Sequence, residues 1–161
     1  MRRLDYINLA LLLLLALLLW LNQQPPRDPA PPLTGLDPAQ ISEIRVAKAG
    51  RLQLALLRDM QGWMLTHPSV ERARPQRVNT LLGLLQAPVR WQLHDQPAGL
   101  ASFGLDHPGL TLSFDDTTLH FGSASSPPGQ RYIRVQDRIM LIDDAYFRIV
   151  GLPAEHFREE P

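Results

Sequence analysis

Residues 7–21 run from Ile-Asn-Leu-Ala into an almost unbroken series of leucines ending Leu19-Trp20-Leu21. A helix that is apolar on every side needs a surrounding as apolar as itself, so this run predicts a membrane segment and sets the rest of the chain apart. Arg2 and Arg3 precede it, and no basic residue follows until Arg27. By the positive-inside tendency the N-terminus stays in the cytoplasm and the remainder is exported. The run rises ~22 Å as a helix, or ~27 Å counted from Leu4, short of a ~30 Å hydrocarbon core. That shortness argues for a cleaved signal segment. Against cleavage, Asn22-Gln23-Gln24-Pro25-Pro26 offers no small-x-small site, and Pro31 follows Asp28-Pro29-Ala30. Trp20 suits an interfacial aromatic belt. The reading adopted is an uncleaved single-pass anchor over residues 1–22, touching membrane lipid through residues 7–21.

A proline-rich tether follows, residues 23–37. Pro25, Pro26, Pro29, Pro31, Pro32 and Pro38 fall close together, with Arg27, Asp28 and Thr34 between them. Such a segment prefers extended polyproline II, and residues 24–37 then reach ~40 Å. A plain spacer explains it. A ligand for a proline-recognising partner is the alternative, without a flanking pattern to support it.

Composition bounds everything beyond the anchor, the tether together with the exported domain of residues 38–161. The chain carries 16 basic and 16 acidic residues; setting aside Arg2, Arg3 and Asp5 leaves 14 and 15. That balance provides no electrostatic footprint for nucleic acid. All basic residues except Lys48 are arginine, which reads as base-composition bias. Without cysteine there is no disulfide, thiol chemistry or cysteine-ligated metal. The domain must be held by its core alone, and ~120 residues suffice for one.

From Asp37 onward the pattern is of strands punctuated by helices. Ile44 and Val46 alternate with polar or small neighbours, Ala49-Gly50 turns, and Leu52, Leu54 and Leu56 alternate again. Gln61-Gly62 turns the chain into Trp63 and Leu65. Pro75 suits the first position of a helix carrying Val78, Leu81, Leu82 and Leu85 on one side and Arg77 and Asn79 on the other, stopped by Pro88. The second half repeats the layout. Leu110, Leu112 and Phe114 alternate, Asp115-Asp116-Thr117 turns, and Leu119 and Phe121 return. Gly122 to Gly129 reads as a loop, and Tyr132–Val135 with Ile139–Ile142 as a hairpin. Asp143 or Asp144 caps a short helix through Phe147 and Val150, ended by Gly151. The expected fold is α+β: a mostly antiparallel sheet of seven or eight strands under two or three short helices, with a weak indication of two similar strand-then-helix halves.

Between the halves, Leu100 to Pro108 reads as a helical turn with Leu100 and Phe103 inward, Gly104 as a left-handed cap, and Asp106 and Pro108 shaping the next turn. The Gly62-Trp63 step, Phe103-Gly104-Leu105-Asp106-x-Pro108, Phe121-Gly122 and Arg131-Tyr132 occur in the order seen in the domain of unknown function 4340 family, which this chain resembles from about Ile41 to Leu152. The resemblance implies a bacterial inner-membrane protein with an N-terminal anchor and a periplasmic domain. Some members are encoded beside ABC-type transporter components of the kind associated with gliding motility. It supplies no catalytic residues to carry over, and this chain is compact compared with many members. Trp63, Phe103, Gly104, Leu105, Asp106, Pro108, Gly122, Arg131 and Tyr132 therefore read as fold determinants.

Signals for chemistry are sparse. His67, His94, His107, His120 and His156 show neither His-x-His nor His-x-x-x-His spacing, so no metal or other cofactor is expected. His120 beside the Asp115/Asp116 turn is the strongest of weak candidates, because a hairpin brings distant residues together. Ser123, Ser125 and Ser126 lack a Gly-x-Ser-x-Gly elbow, and no phosphate-binding Gly-Lys-Ser ending is present. Arg72, Arg74 and Arg77, with Glu71 beside them, read as a solvated helix entrance or, more sharply, a membrane-facing patch. Two functional readings result. One is a non-enzymatic module docking on a protein partner in the membrane or periplasm, with Arg90, Trp91, Tyr132 and Arg134 as interface residue types. The other is a hydrolase or small-ligand binder with a site between the halves, around His107, His120 and Arg131.

Overall fold

A computed structural model of the chain describes residues 6, 8–9, 11–17, 30–93, 99–126 and 128–159. The chain divides into two compact units, Met1–Ala30 and Pro31–Pro161. Within the first unit the described residues among 6–17 are helical and carry exposed leucines, among them Leu11, Leu12 and Leu13. Among the described residues no helix is long and apolar enough to cross a membrane. Residues 1–5, 7, 10 and 18–22 of the predicted anchor and 23–29 of the tether lie outside the described residues, as do His94 and its neighbours 95–98.

The second unit is built on one nine-stranded antiparallel sheet. Its strands are β1 (Glu43–Lys48), β2 (Arg51–Asp59), β3 (Gly62–His67), β4 (Glu71–Arg72), β5 (Trp91–Leu93), β6 (Leu110–Phe114), β7 (Thr117–Ala124), β8 (Gln130–Val135) and β9 (Arg138–Asp143). Their spatial order is β4-β3-β2-β1-β6-β7-β8-β9-β5. Among the described residues of this unit the α-helices are α1 (Pro75–Gly83) and α2 (Ala145–Val150). The α+β architecture expected from the sequence is the one observed, with more strands than the seven or eight anticipated. The additional ones, β4 and β5, are two and three residues long. Such short segments carry no alternation to read.

The order of strands explains the repeated layout. Each half begins at the centre and winds outward, β1 to β4 on one side and β6 to β9 on the other, and each then enters a helix. The first strands meet at an antiparallel seam, Ile44 opposite Phe114, Val46 opposite Leu112 and Lys48 opposite Leu110. Both first hairpins turn on a residue in the left-handed region, Ala49 (φ 48°) and Asp115 (φ 46°). Two strand-then-helix halves thus form one continuous sheet.

Strand alternation assigns the two faces. Ile44, Val46, Leu54, Leu56, Leu65, Leu112, Phe114, Leu119, Phe121, Ile133 and Met140 all point to one face and are buried. Over them lies α1, with Val78, Leu81 and Leu82 inward and Pro75 in its first turn, where the missing N–H costs nothing. A 3₁₀ turn, Leu84–Gln86, extends it. In α2 the Asp143 carboxylate accepts from Ala145 N at 2.8 Å, and Gly151 ends the helix. Each fully buried Leu, Ile or Phe stabilises by ~1.5–3 kcal/mol, and a core of this size holds without disulfides.

Three expectations change here. Leu33, placed in the tether by its prolines, is fully buried, and residues 31–34 belong to the folded unit. Leu33 N donates to Ala87 O at 2.9 Å and Val89 N to Pro31 O at 3.0 Å. Pro31 is tolerated because it contributes only its carbonyl, while Leu33 and Thr34 supply the N–H donors, Thr34 N to Leu85 O at 3.1 Å. Gly122, Ser123 and Ala124 continue β7 instead of opening a loop. Asp115 does not approach His120: its carboxylate accepts from Ser42 N, Ser42 Oγ and Glu43 N, the last at 2.8 Å. His120 pairs with Thr111, three residues up the hairpin from Thr117, ~10 Å away along the strand.

Candidate functional site

The family-like motif residues are gathered by the second half of the sheet. Leu100–Phe103 forms a 3₁₀ turn that ends at Gly104, whose φ of 65° places it in the left-handed region. Gly104 N donates to Ala101 O and Leu105 N to Leu100 O, satisfying the turn's free carbonyls. This turn lies on the sheet face opposite the helices. Gly122 of β7 is buried beneath it, with the Phe103 carbonyl 2.3 Å from where a Cβ would stand. Leu105 and Ile139 are buried in the same layer, and the rings of Phe103 and Tyr132 meet edge to face at 4.9 Å.

Arg131 alternates to the helix face. Its Nη1 donates to Gly122 O at 2.6 Å, its Nε to Asp144 Oδ1 at 2.5 Å, and its guanidinium stacks 3.7 Å over the Phe147 ring. The guanidinium thereby ties β7, β8 and the start of α2 together. Phe103, Gly104, Leu105, Gly122, Arg131 and Tyr132 are thus one packing unit. Trp63 lies apart, in the core of the first half, with the Arg58 guanidinium 6.0 Å from its ring.

Asp106, His107 and Pro108 leave this unit and line an open depression of about 500 Å³ with Ala49, Gly50, Thr111 and His120. His107 and His120, both named for a site between the halves, line this depression. Arg131 does not: it points to the other face, onto Asp144 and Phe147. The His120 Nδ1 is buried without a hydrogen-bond partner among the described residues, opposite Arg134 on β8. Burial, and then the Arg134 charge, pushes the His120 pKa below the ordinary histidine value. Among the described residues no group of three His, Cys, Asp or Glu side chains is arranged to hold a metal ion. His67 lines a separate cleft with Leu152 and Glu155, and His156 is exposed in the C-terminal 3₁₀ turn.

A further surface was not apparent from the sequence. On the face away from the helices, Glu43, Leu57, Met64 and Arg72 stand opposite one another across β1, β2, β3 and β4. Leu57 is 45% exposed. Ion pairs flank this apolar centre: Arg45 with Glu43 at 2.5 Å, and Arg72 with Asp59 at 2.9 Å. Those guanidinium bonds hold the Glu43 and Asp59 carboxyls below the usual carboxylate range. The motif turn covers the corresponding face of the second half; no described segment covers this one. The signal available in the sequence was Leu57 directly after Leu56, an apolar residue on the solvent side of an alternating strand.

Of the proposed interface residues, Arg90 and Trp91 are exposed at the start of β5, Trp91 by 48%. Tyr132 is half-buried under Phe103, and Arg134 has its Nε buried. The opposite edge of the sheet is covered: Ala73 bridges to Arg158, and Glu159 N donates to Arg72 O at 3.0 Å. Such cover protects an edge strand from pairing with other chains.

No curated protein and no solved structure is matched by this chain. The profile of the family described as a domain of unknown function (DUF4340) matches residues 63–160, more than half of the chain and all of the motif unit above, and the chain belongs to that family.

Proposed function

We propose that this chain is a membrane-anchored periplasmic module of a bacterial inner-membrane complex, acting through protein contact rather than catalysis. The observation that carries the reading is the uncovered patch on the first half of the sheet. Leu57 and Met64 form an apolar centre with the Glu43–Arg45 and Asp59–Arg72 pairs at its rim. An apolar centre inside a charged rim is the anatomy of a protein interface. The leucine run of residues 7–21 behind Arg2 and Arg3 supports the anchor and its orientation.

The other reading, a hydrolase or small-ligand site around His107, His120 and Arg131, has less support. Arg131 is engaged by Asp144 and the Gly122 carbonyl on the opposite face. The test is to isolate the full-length, C-terminally tagged chain from native membranes in mild detergent, beside a Leu57→Asp/Met64→Asp variant. A membrane-protein partner recovered by the wild type should fall about tenfold or more in the variant at an unchanged unfolding midpoint. Equal recovery would remove the patch from the account.

A further inference from the structure

The point where the chain enters its folded unit is fixed by hydrogen bonds. Pro31 O accepts from Val89 N, and Pro32 bridges to Pro88. Arg90 and Trp91 follow immediately, and both are exposed. Arg90 N donates to Leu141 O, so β5 holds these two residues on the rim of the sheet. They lie two or three residues, ~10 Å, along the strand from the entry point.

Residues 22–30 separate Leu21, the end of the apolar run, from Pro31. The ten peptide steps from Leu21 to Pro31 span ~31 Å as polyproline II and ~35 Å fully extended. Wherever the apolar run is embedded, Pro31 cannot stand farther than that from the bilayer surface. The rim beside it is the part of the folded unit that chain length keeps nearest to lipid. A short tether also gives its two ends an effective concentration on the order of millimolar, at which a weak contact is populated.

We infer that Arg90 and Trp91 rest on the headgroup layer of the membrane that carries the anchor. This rests on the anchored reading above. The chemistry suits that layer: an indole ring prefers the headgroup level, where its apolar body and its N–H are both accommodated. A guanidinium beside it binds lipid phosphates, and more strongly where anionic lipid is present.

The test uses the full chain in vesicles of phosphatidylcholine and phosphatidylglycerol containing lipid brominated near the headgroups. Of the three tryptophans, at 20, 63 and 91, the Trp91 contribution is the difference between wild type and Trp91→Phe. The inference expects roughly twofold or greater quenching of that component, reduced by Arg90→Glu only when phosphatidylglycerol is present. An unquenched Trp91 component with a water-like emission maximum overturns it. So does a Trp91 shielded in native membranes yet unquenched in vesicles, which assigns the rim to a protein contact. Alkaline extraction separates the two ideas. A chain washed off the vesicles means the anchor reading has failed and the lipid contact with it. A chain that stays while Trp91 remains unquenched means only the lipid contact has failed.

Discussion

Gly122 passes beneath Phe103 so closely that a methyl group on Gly122 would stand 2.3 Å from the Phe103 carbonyl oxygen. Neither atom belongs to a flexible side chain, so the clash can be relieved only by moving the turn or the strand. Gly122→Ala is expected to destabilise the folded unit by about 3 kcal/mol, as overpacking against backbone does. Urea unfolding followed by circular dichroism checks this. A loss under about 0.5 kcal/mol would show that the turn is not seated as described.

Arg131 joins three elements through Asp144, the Gly122 carbonyl and the Phe147 ring. Arg131→Met should cost about 1–3 kcal/mol, because two acceptors lose a charged donor in a largely buried setting. Arg131→Lys should recover little, since an ammonium cannot make the two divergent bonds and the stack together. Combined with Asp144→Asn in a double-mutant cycle, the pair should show a coupling of about 1 kcal/mol or more. Additive effects would mean the two residues act separately.

His120 makes stability depend on pH. Its folded pKa lies below the ordinary histidine value, through burial and then the Arg134 charge. Between the two values the unfolded chain binds the proton and the folded chain does not, so stability rises with pH across that window. The stabilisation is complete above the ordinary histidine pKa of ~6.5 and is lost as pH falls through the lower folded value. His120→Gln should flatten this slope. Unfolding midpoints at pH 5.5 and 7.5 for both proteins decide it, and an unchanged slope in the variant would contradict the assignment.

Much of the fold was legible because alternation and turn chemistry are local. Leu110-x-Leu112-x-Phe114 could be assigned as a half-buried strand, and Pro75 ahead of Val78, Leu81 and Leu82 as a helix, without knowledge of their partners. The features that were missed depend on partners. Leu33 looks like tether until Ala87 and Val89 are placed beside it. Trp91–Leu93 is a strand only because β9 is there to pair with it. Ser123 and Ala124 looked like loop because proline and glycine follow them, but β8 extends the ladder to Ala124. The site follows the same division. Phe103, Gly104, Gly122, Arg131 and Tyr132 stand out by local motif, and close approach, ring contact and hydrogen bonding link them in the second half. The Leu57–Met64 patch required the register of β2 against β3, which no residue of either strand reveals alone.

The docking account is tested most directly by photo-cross-linking in native membranes, with benzoylphenylalanine placed at Met64 or, on the same sheet face of the other half, at Thr118. The account predicts a discrete cross-linked species with a membrane-complex protein from position 64, weakened by Leu57→Asp, and none from position 118. Equal cross-linking from both positions, or none from position 64, would contradict it.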